Sequence, residues 1–199
     1  MKDPIANIIL GKAKTLPKGG LISARDFLGS LKRPAIDQAL SRLAKQGHLI
    51  RIGRGLYTKA YQGHLGAYPA STPDLLSALA KKTGEKIVNN GAMAANILGL
   101  SQQVPMKEVY LTSGRSRNMR RINQVITLRH APSWQLLFGN KPEGQLIRAL
   151  ASYGKDNMAM LIPKIRELRG INWGILSKAS GKLPIWMEMA IKKAVNDRT

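Results

Sequence analysis

The sequence predicts an α+β protein, in which a helical N-terminal part ends in a strand pair and a longer C-terminal part combines a small sheet with several helices. Apolar residues recur at helical spacing over residues 5–45 and again from residue 143 onward. Between these stretches lie short β-branched runs bounded by turn-forming residues. At 199 residues and 44% hydrophobic content, the chain is long and apolar enough for a packed core.

Three helices are predicted in the first 47 residues. The first spans residues 5–14. Ser23 offers an N-cap hydroxyl to a short second helix, with Asp26 as its capping partner three positions on. Pro34 suits the first turn of a third helix, and Gly47 stands where the C-terminal cap of that helix belongs.

The third helix has one apolar and one polar face. Ile36, Leu40 and Leu43 share the apolar face. On the opposite face, Gln38 and Arg42 are candidates for reading base edges, because Gln pairs with adenine and Arg with guanine in a bidentate manner. Any surface helix shows such a polar face. The helix alone therefore does not distinguish a DNA-reading face from an ordinary solvated one.

A basic hairpin follows the third helix in the stretch GHLIRIGRGLYTKA, residues 47–60. Gly53 and Gly55 permit a tight reversal, and Arg54 lies between them at the tip. Three helices followed by a hairpin is the order of a winged helix-turn-helix, in which the third helix enters a DNA groove and the hairpin is the wing. Residues 1–67 are therefore predicted to be a DNA-binding domain.

The predicted DNA contacts come from the third helix, from its N-terminal approach and from the wing. Lys32, Lys45 and Arg54 suit the phosphate backbone. The full set of candidates is Lys32, Arg33, Gln38, Ser41, Arg42, Lys45, Arg51, Arg54 and Lys59.

The charge of the chain supports a polyanionic partner. Thirty-two Lys and Arg against eleven Asp and Glu give a formal charge of +21, which is typical of chains that bind nucleic acid. There are no cysteines, which suits a reducing compartment. The N-terminus has neither a secretory signal nor a membrane span, and only ten residues are aromatic, so we expect a cytoplasmic protein that does not bind membranes.

Residues 68–199 are predicted to form a second, mixed α/β domain, joined to the first by a linker at 61–73. The expected elements are a helix at 74–82, a strand at 86–88, a close-packing helix at 91–100, strands at 109–112 and 125–129, and three or four helices from residue 143. The predicted apolar stripes of the late helices are Leu146, Ile147 and Leu150; Met160, Leu161 and Ile165; and Trp186, Met189 and Ile191.

A second basic patch occupies the stretch between the two predicted strands and the end of the second one. Arginine suits bidentate recognition of phosphate. The patch could contact DNA, bind RNA or dock an acidic protein partner, or it could be a solvated loop. Its members are Arg115, Arg117, Arg120, Arg121 and Arg129.

No catalytic centre, metal site or cofactor is indicated. The sequence has no HExxH, no DxD and no nucleophile elbow, and the Gly-Lys pair at 11–12 lacks the preceding glycine of a phosphate loop. His130, which follows the last predicted strand, is more typical of a structural hydrogen-bonding residue than of a catalyst. We therefore expect a binding protein rather than an enzyme.

Four stretches together resemble the AbiEi family of bacterial antitoxins, in its short form of about two hundred residues. They are RPAIDQALSRLAKQGHLIRIGRGLYTKA (33–60), NNGAMAANILGLSQQVP (89–105), VYLTSGRSRNMRRI (109–122) and VITLRHAP (125–132). The resemblance implies a winged-helix domain that represses its own promoter through inverted repeats. It also implies a C-terminal domain that antagonises a cognate AbiEii-type nucleotidyltransferase toxin.

Carried over to this sequence, the resemblance assigns Gln38, Arg42 and Lys45 to the recognition helix and Arg51 and Arg54 to the wing. The main alternative is an RNA-binding regulatory protein without antitoxin activity, because basic winged helices can hold structured RNA by shape. Among the aromatic residues, Tyr57 is the best placed for base stacking. The sequence leaves open whether the chain binds DNA as a monomer or as a dimer.

Overall fold

A computed structural model of the chain describes residues 3–29, 31–64 and 66–196. These residues form eight α-helices and nine β-strands in several small sheets, so the α+β class is confirmed. In chain order the elements are α1 (Pro4–Thr15), β1 (Leu21–Ile22), α2 (Arg33–Lys45), β2 (Leu49–Gly53), β3 (Leu56–Lys59), β4 (Tyr61–Gly63), β5 (Gly66–Tyr68), α3 (Thr72–Thr83), β6 (Ile87–Asn89), α4 (Gly91–Ile97), β7 (Glu108–Thr112), β8 (Arg117–Arg121), β9 (Gln124–His130), α5 (Pro142–Tyr153), α6 (Met158–Arg166), α7 (Trp173–Ala179) and α8 (Ile185–Asn196). Short 3-10 helices occupy Ala24–Phe27, Ser133–Leu136, Lys155–Asn157 and Ser180–Lys182.

The chain divides into two compact units. Unit 1 consists of residues 1–85 and 117–127, and unit 2 of residues 86–116 and 128–199. This division differs from the predicted boundary after residue 67, because α3 packs against β1 and the chain later returns to unit 1 with β8. Most of the arginine-rich segment therefore belongs to the unit that contains α2.

Capping residues define the ends of the first helices of unit 1. Asp3 caps α1 by accepting a 3.0 Å hydrogen bond from the Ile5 backbone N–H. Asp26 accepts a 2.8 Å bond from the Ser23 backbone N–H, which confirms the predicted capping box, although the short second helix is a 3-10 helix rather than an α-helix. Gly47 follows the end of α2 with a φ of +78°, which glycine adopts without strain.

The core of unit 1 lies between α1, the 3-10 helix, α2 and a three-stranded sheet. Ile36, Leu40 and Leu43 of α2 are all buried, as their spacing predicts. The sheet has the order β1–β3–β2, with both neighbouring pairs antiparallel. The buried Thr58 hydroxyl donates a 3.1 Å bond to the Gly20 carbonyl, which satisfies a polar group in this apolar setting.

The segment predicted to be a linker, residues 61–73, contains two short strands, Tyr61–Gly63 and Gly66–Tyr68. β4 and β5 pair antiparallel, with Tyr61 opposite Tyr68 and their ring centroids 5.9 Å apart. The strands have three residues each and include Gly63 and Gly66, so their composition is typical of a turn rather than of a strand. Ser71 then caps α3, which starts at Thr72 close to the predicted position.

The segment at 113–121 is not a single loop between two strands, because Arg117–Arg121 is itself a strand. β8 is hydrogen-bonded to β9, which begins in unit 1 and ends in unit 2 beside β7; β7 in turn pairs antiparallel with β6. Met119 is the buried residue of β8 and alternates with exposed Asn118 and Arg120. Because three of its five residues are arginines, the sequence of this strand shows no alternation of apolar and polar residues from which a strand could be predicted.

Unit 2 is built around the four late helices, α5 to α8. Two members of the predicted stripes are wrong, since Met160 and Met189 are exposed. α4 packs closely on α5 as its small residues predict: a Cβ on Gly91 would lie 2.5 Å from the Arg148 carbonyl oxygen. The buried members of the main cluster include Leu146, Ile147, Leu150, Leu161, Ile165, Leu176, Met187 and Ile191. No helix in the described part of the chain has the length and apolarity needed to cross a bilayer.

Candidate nucleic-acid interface

Helix α2 presents its predicted polar face to solvent. Burial of its apolar stripe orients the opposite side outward, where Gln38, Ser41 and Lys45 are exposed. Lys32, immediately before the helix, is exposed as well. These four side chains can reach an external ligand without rearrangement of the helix.

Two arginines of the same helix already hold carboxylates. Arg33 Nε lies 3.0 Å from an oxygen of Asp37, and Arg42 pairs with Asp3. Both pairs are largely exposed, so each contributes about 0–1 kcal/mol and can be exchanged for a phosphate at small cost. Arg42, predicted to read bases, must release Asp3 before its guanidinium can bind a second partner through the same edge.

The hairpin of β2 and β3 places two arginines at its exposed end. The register shifts between Arg51 and Gly53, and Gly55 has a φ of +63°, which together produce the reversal around Arg54. Arg51 Nε donates a 3.3 Å bond to the Gly53 carbonyl. Lys59, also predicted to contact DNA, has its ammonium over the Tyr61 ring at 5.5 Å from the centroid.

Strand β8 lies alongside β2 and adds cations to the same region of unit 1. Together the two strands line a shallow groove of about 530 Å³, to which Arg51, Arg54, Asn118 and Arg120 contribute. β2 and β8 are each the last strand of their sheet in the described topology. The polar lining of the groove comes from three arginines and one asparagine, side chains that can donate hydrogen bonds to phosphate oxygens.

A larger concavity of about 840 Å³ opens at the hairpin tip. Five cations line it, and three of them are ion-paired: Lys82 lies 2.6 Å from Asp26, Arg117 lies 2.9 Å from Glu85, and Arg33 pairs with Asp37. The remaining cationic lining comes from Arg25 and Arg54. Neither Arg25 nor Asn118 was predicted from the sequence. Arg25 lies exposed on the 3-10 helix that Ser23 caps, so the predicted capping box was the signal for its position.

The predicted second patch is divided between the two units. Arg117, Arg120 and Arg121 belong to unit 1, whereas Arg115 and Arg129 belong to unit 2. Arg121 is held in place, since its Nε donates a 3.1 Å bond to the Ala70 carbonyl and its Nη1 a 3.0 Å bond to Gln124. Of the three in unit 1, Arg120 is the exposed member that shares the groove with the hairpin.

Unit 2 contains a buried cation of a different kind. The Arg148 side chain is almost fully buried, and its donors reach the Gln135 carbonyl at 3.2 Å and the Asn140 side-chain oxygen at 3.4 Å. Burial lowers the pKa of Arg148 to about 10, so it remains charged at neutral pH. Its Nε has no hydrogen-bond partner among the described residues. Arg148 therefore holds the segment before α5 in place through hydrogen bonds. It does not line any of the basic concavities of unit 1 described above.

Acid and metal-binding side chains are sparse in the described residues, where no group of three or more His, Cys, Asp and Glu is arranged to hold a metal ion. His130 Nδ1 lies 2.9 Å from the Gly114 carbonyl, which is the structural contact that the sequence suggested for it.

Fold and site together define a basic α+β protein with an arginine-lined surface in unit 1. The chain belongs to DUF6088, a family of unknown function whose model matches residues 8–170. No curated protein matches the sequence. Among solved structures it is similar to the RV2827C protein from Mycobacterium tuberculosis, with 16% identity and a TM-score of 0.56 over 98% of this chain and 78% of that one. At this identity the likeness concerns the fold alone.

Proposed function

We propose that the chain binds double-stranded DNA through unit 1, with α2 in the major groove and the β2–β3 hairpin as a wing on the backbone. The element order supports this proposal, because α1, β1, the 3-10 helix, α2, β2 and β3 follow one another as in a winged helix-turn-helix. The pairing of β1 with β3 closes the three-stranded sheet that such a wing requires.

The observation that carries the proposal is the continuity of exposed donors in unit 1. A third concavity, of about 480 Å³, is lined by Ser41 and Lys45 of α2 and by Arg51 of β2. Arg51 also lines the groove shared with β8, so the polar face of α2, the hairpin and Arg120 adjoin one another. Cations distributed in this way can follow a line of phosphates while one helix faces the bases.

Each residue of this surface has a defined role in the proposal. Gln38 is exposed on the polar face of α2 and would contact a base edge, with adenine as the expected partner. Lys32, Lys45 and Arg54 would contact phosphates and contribute to affinity without selecting the sequence. Arg42 would read a base after exchanging Asp3 for it.

A binding selection tests this function directly. The purified protein is incubated with a randomised duplex pool, and the enriched duplex is compared with an unrelated duplex of equal length at about 150 mM salt. We expect enrichment of a defined sequence and preference for DNA upstream of the gene itself. Equal affinity for both duplexes at that salt concentration would contradict sequence-specific recognition.

We further propose that the protein is an autorepressing antitoxin, as its resemblance to the AbiEi family implies. The partners would be inverted repeats in its own promoter and an AbiEii-type nucleotidyltransferase toxin. A nucleotidyltransferase gene immediately downstream would supply the pair to test. Co-expression should then restore growth that the toxin alone arrests, and unchanged arrest would contradict the antitoxin role.

RNA binding is the alternative, and two tyrosines give it specific support. Tyr57, which the sequence suggested for stacking, is buried in the core of unit 1 and is not available to a base. Tyr61 and Tyr68 instead form a ring pair beside Lys59, and Tyr68 is exposed. An aromatic pair next to a cation is a surface on which single-stranded bases can stack. Competition of bulk RNA against the selected duplex separates the two functions.

A further inference from the structure

The tip of the β8–β9 hairpin carries an isoleucine, Ile122, whose backbone conformation and solvent exposure are both unfavourable for this residue type. The loop has two residues, Ile122 and Asn123, and Ile122 has a φ of +54°. A β-branched residue rarely adopts positive φ, and glycine or asparagine normally occupies such a position. Ile122 is also 56% exposed, so little burial of its side chain offsets the backbone strain.

The surroundings of Ile122 are basic and well anchored. Arg121, immediately before it, bonds to the Ala70 carbonyl and to Gln124, which fixes the base of the tip within unit 1. Arg120 precedes it on the exposed face of β8 and lines the groove shared with Arg51 and Arg54. The hairpin therefore holds an exposed aliphatic side chain two residues after an exposed arginine that lines the groove.

We propose that Ile122 is an intercalating wedge, which inserts between two base pairs from the minor groove of the duplex held by unit 1. This inference rests on the proposed DNA binding. Isoleucine is among the apolar side chains that unstack a base step, and insertion of this type kinks DNA by about 20–90°. Arg120, two residues before Ile122 on the exposed face of β8, would neutralise a phosphate beside the inserted side chain, which makes the position electrostatically complementary to DNA.

The wedge also identifies which sequences would be preferred at that step. Pyrimidine–purine steps such as TA unstack most easily, so a duplex with such a step under the hairpin would bind better than one without it. This preference would arise without a hydrogen bond to any base at that position, because an isoleucine side chain has no donor or acceptor.

The test compares DNA bending by variants of the tip. A duplex selected by the wild-type protein is labelled at both ends for energy transfer and carries 2-aminopurine at candidate steps. Ile122→Gly removes the wedge and accepts positive φ without strain, so the protein should remain folded and bind within roughly threefold of wild type. The bend and the rise in 2-aminopurine fluorescence should disappear.

Two further variants separate the wedge from a general effect on the hairpin. Ile122→Met keeps a long apolar side chain and should retain both signals. Val125→Thr alters another exposed aliphatic residue of the same hairpin, on β9, and should also retain them. Equal bending by wild type and Ile122→Gly would overturn the wedge and leave DNA binding intact, whereas wild-type protein that binds no duplex would overturn both.

Discussion

The two units carry similar charge but arrange it differently. Unit 1 has seventeen Lys and Arg against five Asp and Glu, and unit 2 has fifteen against six. In unit 1 the arginines of α2, the hairpin and β8 surround shared concavities. In unit 2 the most buried cation, Arg148, lies inside the fold and bonds to uncharged oxygens.

This difference shows that net charge can indicate a class of partner but cannot locate the binding surface. A charge of +21 favours a polyanionic partner, but both units would satisfy that criterion equally well. The binding surface is indicated instead by exposed donors that several elements bring together. Substitutions in each unit in turn should therefore affect different properties, stability for unit 2 and DNA binding for unit 1.

The largest expected effect concerns the core of unit 2. Arg148→Ala should lower the free energy of unfolding by about 2–4 kcal/mol, because it leaves a cavity and two oxygens without their donor. Arg148→Met fills the volume and removes the cost of burying a charge, so it should be at least about 1 kcal/mol milder. Since the folded pKa lies below the unfolded one, that burial cost is fully present below about pH 10.

Urea unfolding followed by tryptophan fluorescence measures this effect in the right place, because Trp134, Trp173 and Trp186 all lie in unit 2. DNA affinity of the folded Arg148→Met variant should match wild type. A large loss of affinity with unchanged stability would show that unit 2 takes part in binding through Arg148.

The next effect separates base reading from phosphate contact within unit 1. Gln38→Ala should cost about 1–3 kcal/mol of discrimination at a single base pair and leave other positions unchanged. Arg54→Ala should instead weaken binding to all sequences and reduce the salt slope by about one phosphate contact. Fluorescence anisotropy on single-substitution duplexes measures both, and an exchange of the two patterns would mean that the assigned roles are reversed.

The smallest effect concerns the ion pair that restrains Arg42. Asp3→Asn keeps a good N-cap for α1 and releases Arg42, so affinity should rise by less than about 1 kcal/mol. Asp37→Asn is the matched control, because it removes an equal charge and releases Arg33 instead of Arg42. Weaker binding by Asp3→Asn than by its control would show that Asp3 positions Arg42 for DNA rather than competing with it.

Local signals predicted much of unit 1. The capping box at Ser23, the buried stripe of α2 and the glycine-flanked turn at Arg54 depend on residues close in sequence, and all three are present in the structure. The Asp3–Arg42 pair joins residues 39 positions apart, so no local pattern could indicate it.

Long-range pairing explains the predictions that failed. β8 contains four polar residues among five, and its character as a strand depends on hydrogen bonding to β9 and on the burial of Met119 alone. The pairing of β4 with β5 is likewise specified by the cross-strand contact of Tyr61 with Tyr68 rather than by β-branched composition. For the same reason the sequence could not show that Arg120 lines a groove with Arg51 and Arg54.

The salt dependence of DNA affinity for two paired variants tests most directly whether unit 1 holds the binding surface. One variant combines Arg54→Ala with Arg120→Ala, and its control combines Arg169→Ala with Lys178→Ala, two exposed cations of unit 2. The first should bind about 10–100-fold more weakly at about 150 mM salt and reduce the slope of log affinity against log salt by about 1.8, while the control keeps the wild-type slope. Equal losses in both variants, or a greater loss in the control, would contradict the assignment of DNA binding to unit 1.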